Sequence, residues 1–114
     1  MSTRATVHFQ QGGQTEAIVY RHGDGYPDGL GKDLEGFLDE LVAKVEDTRF
    51  DDPPYLAAKW IVWDAIKYGN RGGNFLNFLG VGIVLTDPGD IEYRYLVECD
   101  TADRPTIKVE QVTT

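Results

Sequence analysis

Apolar and polar residues alternate from Arg4 to Gln10 and again from Thr15 to Arg21, which predicts strands over 4–10 and 15–21. Between them, Gln11-Gly12-Gly13-Gln14 puts two glycines where a type I′ hairpin turn requires positive φ. That turn sets Val7 opposite Ile18, Phe9 opposite Glu16 and Ala5 opposite Tyr20. Cross-strand partners share a face, so Ala5, Val7, Phe9, Ile18 and Tyr20 are expected inside, with His22 continuing the inner series. His8 is expected outside with Thr6 and Gln10.

Leu30, Leu34, Phe37, Leu38, Leu41, Val42 and Val45 recur at three- and four-residue steps and predict an amphipathic helix over 30–47. Glu46 and Asp47 would then oppose the helix dipole at its end. Asp52, as N-cap, and Pro53, at the first helical position, announce a second helix that Gly69 ends. This helix has few polar residues, so it is either buried between layers or covered by a partner, with at least one of Trp60 and Trp63 in the core. Residues 69–80 read as a glycine-rich connection carrying Phe75 and Phe78. It has no phosphate-loop lysine and serine, although Lys67 and Arg71 offer positive charge beside it.

Residues 81–86 and 91–99 are predicted to form a second hairpin. A three-residue turn, Asp87-Pro88-Gly89, sets Leu85 against Ile91 and Ile83 against Tyr93, with Gly89 in the left-handed bulge position. Ile91, Tyr93, Tyr95, Val97 and Cys99 share the apolar face, and 106–112 forms the last strand. The expected architecture is one α+β domain over 1–114 in the order ββααβββ. A mostly antiparallel five-stranded sheet carries two helices on one face. Its outer face is polar apart from Val19, Val84, Leu96 and Val112, a weak contact patch.

The 114 residues carry a net charge of −8, unevenly spread. Residues 24–52 hold ten acids against Lys32, Lys44 and Arg49, and residues 87–103 hold six acids against Arg94. Such a chain is repelled by nucleic acid and anionic membrane and is steered toward basic proteins. No segment is apolar for long enough to span a membrane, and residues 1–6 lack the apolar stretch of a secretion signal, so a cytoplasmic location is expected. One cysteine, Cys99, excludes an internal disulfide and is expected to be buried and inert, and with two histidines it argues against structural zinc.

Candidate chemistry concentrates in Tyr20-Arg21-His22-Gly23-Asp24-Gly25-Tyr26-Pro27-Asp28-Gly29. Asp24, Asp28, Gly29 and Glu35 match positions one, five, six and twelve of a calcium loop. Tyr26 stands where a carboxylate or amide belongs, and Lys32 adds a positive charge, so no metal or other cofactor is expected. A hydrolase reading makes His22 a general base oriented by Asp24 or Asp28 and assisted by Tyr26. The simpler reading is a strand-to-helix turn in which His22 packs on Tyr20 at the rim of the core.

The run Tyr20-Arg21-His22-x-Asp24-Gly25-Tyr26-Pro27-x-Gly29, followed by an amphipathic helix, resembles a group of small, mostly uncharacterised proteins of phages, prophages and plasmids. The likeness covers about the first half of the chain, and Gly23 stands where a bulky residue is usual. His22, Asp24, Gly25, Tyr26 and Pro27 carry over as motif positions without an assigned role. The resemblance implies a mobile-element protein that binds a host protein, in concrete form an anti-CRISPR or other anti-defence inhibitor. The expected function is therefore non-enzymatic binding to a basic surface of a nucleic-acid-handling host protein, with no direct nucleic-acid or membrane contact. Asp33, Glu35, Asp39, Glu40, Glu46, Asp47, Asp51 and Asp52 are the expected contacts. Two alternatives stand beside it. One is a metal- or small-ligand-binding protein or hydrolase using the 22–35 loop. The other is a virion or replication accessory protein that oligomerises, a homodimer being the simplest form.

Overall fold

A computed structural model describes residues 2–69, 74–77 and 79–112 of the chain. β1 (Ala5–Gln11) and β2 (Gln14–Arg21) form the expected hairpin, with Gly12 and Gly13 at φ of 60° and 78°. Near the turn the pairing follows the glycines, Gln11 with Gln14 and Gln10 with Thr15. Phe9 then pairs with Ala17 rather than Glu16, so Glu16 is an extra residue and every later side chain of β2 changes face. The physical reason is Glu16 itself. Opposite Phe9 it would place a carboxylate on the buried face, whereas the bulge leaves it in solvent. Ala17, Val19 and Arg21 therefore turn inward with Phe9, Val7 and Ala5, while Ile18, Tyr20 and His22 face the other way. Val19, expected on the outer face, is 1% exposed, and His22, expected at the inner rim, is exposed.

A π-helical turn over Pro27–Gly31 leads into α1 (Lys32–Lys44), and α2 follows over Pro53–Tyr68. α1 stops at Lys44 because Val45 is extended, so Glu46 and Asp47 lie beyond it and the expected conflict with the dipole does not arise. Asp52 occupies the N-cap position of α2 without a side-chain capping bond, its carboxylate going to Arg49 Nη1 at 3.3 Å instead. The Gly69 N–H donates to the Ala65 carbonyl and closes the helix. Leu30, Leu34, Phe37, Leu38, Leu56 and Trp60 meet Ala5, Val7, Phe9, Val19, Tyr95 and Val97 in one core, so both helices cover the same sheet face, as expected. Phe37 of α1 sets its edge on Trp60 at 5.5 Å and on Trp63 at 6.2 Å, locking α1 to α2.

The sheet is completed by β3 (Val81–Val84), β4 (Tyr93–Glu98) and β5 (Thr106–Gln111), in the order β3-β2-β1-β4-β5. It is mostly antiparallel, with β1 and β4 the one parallel pair. The hairpin expected from Asp87-Pro88-Gly89 does not form. β2 and β1 lie between β3 and β4, and the connection beyond Leu85 crosses the outer face of the sheet, where Asp87 meets Thr6 and His8. A hairpin would leave Asp87 in water. On the crossing its carboxylate accepts hydrogen bonds from Thr6 Oγ1 (2.6 Å) and Arg94 Nε (2.6 Å) and meets His8 Nε2 (2.7 Å). The parity of β4 is as expected, and Tyr95, Val97 and Cys99 are buried. Burial pushes the Cys99 thiol up to about 12, which fits an inert thiol.

Turning Arg21 inward puts a guanidinium in the core at 5% exposure, and the helices supply the countercharge. Arg21 Nη2 is 2.8 Å from Asp33 on α1, and its Nε is 3.7 Å from Asp64 on α2. Asp33 also accepts from Lys67 Nζ (3.1 Å) and Tyr68 Oη (2.7 Å), and Arg21 stacks over the Tyr68 ring. Burial alone would raise the Asp33 carboxyl, but these donors outweigh it and hold it below its ordinary 3.8. Burial, with repulsion from Asp33, pushes Asp64 the other way despite the field of Arg21. Asp87 behaves like Asp33, its donors outweighing its burial.

Three consequences can be measured by chemical denaturation across pH. Arg21→Met leaves buried Asp64 without a cation and Asp33 with only Lys67 and Tyr68, and is expected to cost about 3–5 kcal/mol. Asp33→Asn is expected to cost more than Asp64→Asn at neutral pH, because Asp33 is the stabilised anion and Asp64 the strained one. Asp33 and Asp87 have depressed folded values. Their contribution is present above the ordinary carboxyl value and is lost as pH falls through the folded one, so Asp33→Asn and Asp87→Asn should flatten the acid limb of the stability curve. An unchanged acid limb in both variants would contradict this assignment.

Candidate protein-binding surface

The strand-to-helix loop is built as a clamp. Asp24 has a positive φ of 54°, and its carbonyl accepts from the Leu30 N–H at 2.8 Å. Gly25 is pinned from two sides, its N–H on the Thr3 carbonyl at 2.9 Å and its carbonyl on the buried Tyr95 hydroxyl at 2.7 Å. A Cβ there would lie 2.7 Å from the Ala5 Cβ and 2.8 Å from the Thr3 oxygen, which is why glycine is required. Pro27 opens the π-helical turn, and the exposed Tyr26 hydroxyl reaches Asp24 at 3.3 Å.

The groups of this loop do not converge. His22 Nδ1 lies 3.0 Å from Tyr20 Oη and 3.5 Å from Arg4 Nε, and neither Asp24 nor Asp28 is hydrogen-bonded to it. Glu35 belongs to a different cluster, accepting from Arg104 Nη2 at 2.6 Å, and Asp28 faces Lys32. Among the described residues no three His, Cys, Asp or Glu side chains are grouped so as to hold a metal ion, so Asp24, Asp28 and Glu35 do not form the calcium-like set. His8, expected to be a simple solvent-facing side chain, is bracketed by Asp87 and by Thr15 Oγ1 at 2.9 Å.

The eight acids expected to contact a partner fall into distinct groups. Asp33 is withdrawn from the surface, being 7% exposed and committed to Arg21. Glu35 and Asp39 are both held by Arg104, which reaches over from the approach to β5. Asp47 and Asp52 are held by Arg49, whose own backbone has a positive φ of 57°. Glu40 faces Lys44 at 3.9 Å, and Glu46 and Asp51 are exposed. The acidic face thus carries its own cations, and its remaining charge lies around Glu40, Glu46 and Asp51.

Beside those acids is an apolar surface that the charge pattern conceals. A groove of about 400 Å³ runs between α1 and α2, floored by Phe37, Leu41 and Trp63, walled by Val45, Tyr55, Ala58, Val62 and Ile66, and edged by Glu40 and Lys59. Tyr55, Val62 and Ile66 are 57%, 57% and 65% exposed. Arg49 lies over the Tyr55 ring at 4.6 Å, and Lys59 Nζ donates to the Asp47 carbonyl at 2.7 Å, so the 45–52 connection is fastened to the end of the groove. A second apolar hollow of about 390 Å³ lies on the far side of α2, lined by Ile61, Val62, Ala65, Ile66, Phe75, Leu76 and Leu79. Ile83 and Leu85 extend the apolar surface along the sheet edge at 77% and 93% exposure.

Sequence reasoning identified the apolar excess of the second helix but not which residues remain uncovered. A usable signal was present, since from Gly72 to Thr86 the chain carries no charged residue. Arg71 and Phe78 lie outside the described residues, and Lys67, read as positive charge beside the glycine-rich connection, faces Asp33. No described helix is long and apolar enough to cross a membrane. Comparison of the chain with models of protein families, with curated proteins and with solved structures yields no match.

The clamp makes a sharp prediction. Gly25→Ala is expected to destabilise the fold by about 1–3 kcal/mol in urea denaturation, because the added methyl meets backbone and core. Gly23→Ala, with nothing within 4 Å of the added carbon, should change stability by less than about 0.5 kcal/mol.

Proposed function

We propose that this chain is a non-enzymatic protein-binding module whose contact surface is the groove between α1 and α2. The observation that carries the reading is the groove itself, where Tyr55, Val62 and Ile66 stay in water beside Glu40 and Lys59 at its border. Exposed apolar surface of this extent is retained for contact rather than for folding. The fitting partner segment places apolar side chains on the Phe37–Trp63 floor and Lys or Arg residues toward Glu40, Glu46 and Asp51.

A host protein with a basic surface fits this description. The resemblance of the Tyr20–Gly29 run to mobile-element proteins supports an inhibitor of a nucleic-acid-handling defence protein as its concrete form. The contact set differs from the one the charge pattern alone suggests. Apolar anchors supply the affinity, Glu40, Glu46 and Asp51 supply steering and orientation, and Asp33 has no place in the contact set.

The test is capture on the immobilised chain from a bacterial lysate, identification of the bound protein, and titration of that protein at low and high salt. Tyr55→Ala is expected to weaken binding by at least ~30-fold and to leave thermal unfolding within a few degrees of wild type. Glu40→Lys with Glu46→Lys is expected to slow association and to remove most of the salt dependence. A dissociation constant untouched by either change would remove the groove from the interface.

A further inference from the structure

We propose that a second copy of this chain docks on the free edge of β3, the two β3 strands pairing antiparallel across a two-fold axis. This surface is distinct from the groove between α1 and α2, and the proposal does not rest on the reading given to that groove.

β3 is an end strand, and among the described residues nothing pairs with its outer edge. The His22 N–H bonds the Gly80 carbonyl at 3.0 Å, and the register continues as Tyr20 with Gly82 and Ile18 with Val84. Antiparallel alternation then aims the N–H and C=O groups of Val81 and Ile83 outward, unpaired. Such an edge is a template for another strand unless it is blunted. The opposite edge is blunted, because β5 carries Lys108 and Glu110. β3 has neither a charge nor a proline, and Ile83 and Leu85 project beyond it on the helix side.

Charge selects the occupant. With a net charge of −8, two copies repel each other over most of their surfaces. Residues 81–86 carry no charge, so the strand pairing itself brings no like charges together, with Glu16 standing beside Ile83 and Leu85 on the flank. The geometry is self-complementary as well. With Gly82 on the axis, Val81 of one copy faces Ile83 of the other in two reciprocal hydrogen-bonded pairs. Gly82 has no side chain to obstruct the close central approach, and a carbon added there would have nothing within 4 Å.

The area is that of a weak dimer. Ile83, Leu85, Leu76 and Leu79 are 53–93% exposed along this flank. At about 100 Å² for each large aliphatic side chain they amount to roughly 400 Å² per partner, the size class of weak, concentration-dependent association. The backbone pairing of β3 adds to this.

Sedimentation velocity and light scattering over ~1 μM to ~1 mM are expected to show conversion from the 12.7 kDa monomer to a dimer. Ile83→Lys and, separately, Leu85→Lys are expected to weaken the dimer at least ~10-fold with an unchanged circular-dichroism melt, since both side chains are solvent-exposed in one copy. Val109→Lys on β5 should leave it intact. The Ile83 amide should gain protection from hydrogen exchange as concentration rises. A chain that stays monomeric at ~1 mM, or a dimer indifferent to both lysines, overturns the proposal. So does a monomer that floats with phosphatidylcholine vesicles through Ile83 and Leu85, which would assign the edge to lipid. Because Tyr55→Ala leaves β3 untouched and Ile83→Lys leaves the groove residues in place, failure here and failure of the groove reading are separately visible.

Discussion

The inward turn of Arg21 is the constraint around which the rest of the structure is arranged. A guanidinium on the buried face of a sheet is tolerable only if it is neutralised and hydrogen-bonded, and one helix alone does not achieve that here. Asp33 comes from α1, Asp64 from α2, and Lys67 and Tyr68 close the group from the end of α2. One side chain of β2 thereby fixes where both helices sit on the sheet. The apolar contacts among Phe37, Trp60 and Trp63 provide bulk, but they are tolerant of sliding in a way that a charge with fixed partners is not. The two carboxylates are not equivalent. Asp33 has three donors and stays ionised easily, whereas Asp64 is held by charge alone at a longer distance.

The outer face has its own fastening. The crossing over residues 85–92 joins two strands that run parallel yet lie on opposite sides of the β1–β2 hairpin. Asp87 anchors it on Thr6, His8 and Arg94, and the Glu92 N–H donates to the Arg4 carbonyl. This arrangement puts β4 beside β1 in the middle of the sheet, where Tyr95 and Val97 join the core, and leaves β3 at an edge. Tyr95 then reaches Gly25, so the Tyr20–Gly29 loop is held by the strand that the crossing delivers. The motif is a joint between layers, and its glycines and tyrosine serve packing and backbone bonding.

Charge and apolar surface divide the molecule. Half of the acids of α1 and of the following connection are answered by Arg104 and Arg49, which reduces repulsion within the helix layer. The apolar residues of α2 are not answered in the same way. Its buried face, Leu56, Ala57 and Trp60, is spent on the sheet, and its other faces remain in water. A protein with a strongly acidic composition thus exposes its least charged surface at the groove and along β3, and that contrast underlies both interaction surfaces proposed above.

Local pattern was enough for the α+β class, the two helices, the Gly12-Gly13 turn, the close of α2 at Gly69 and the apolar parity of β4, because each depends on neighbours a few residues away. The same pattern misplaced His22, Val19 and the partners of β3 and β4. Register past the Gly12-Gly13 turn was decided by Glu16, whose carboxylate could not stay opposite Phe9 once helices covered that face, and Asp87 gave up a tight turn for donors on β1 and β4. Asp33 looked like one more surface acid because nothing near it in the chain announces Arg21 as a buried partner. Alternation, turn residues and helix stripes are written into the chain itself. Which charge is buried, which strand takes the edge and which apolar face stays open depend on residues far apart in sequence, and only packing the layers together makes them neighbours.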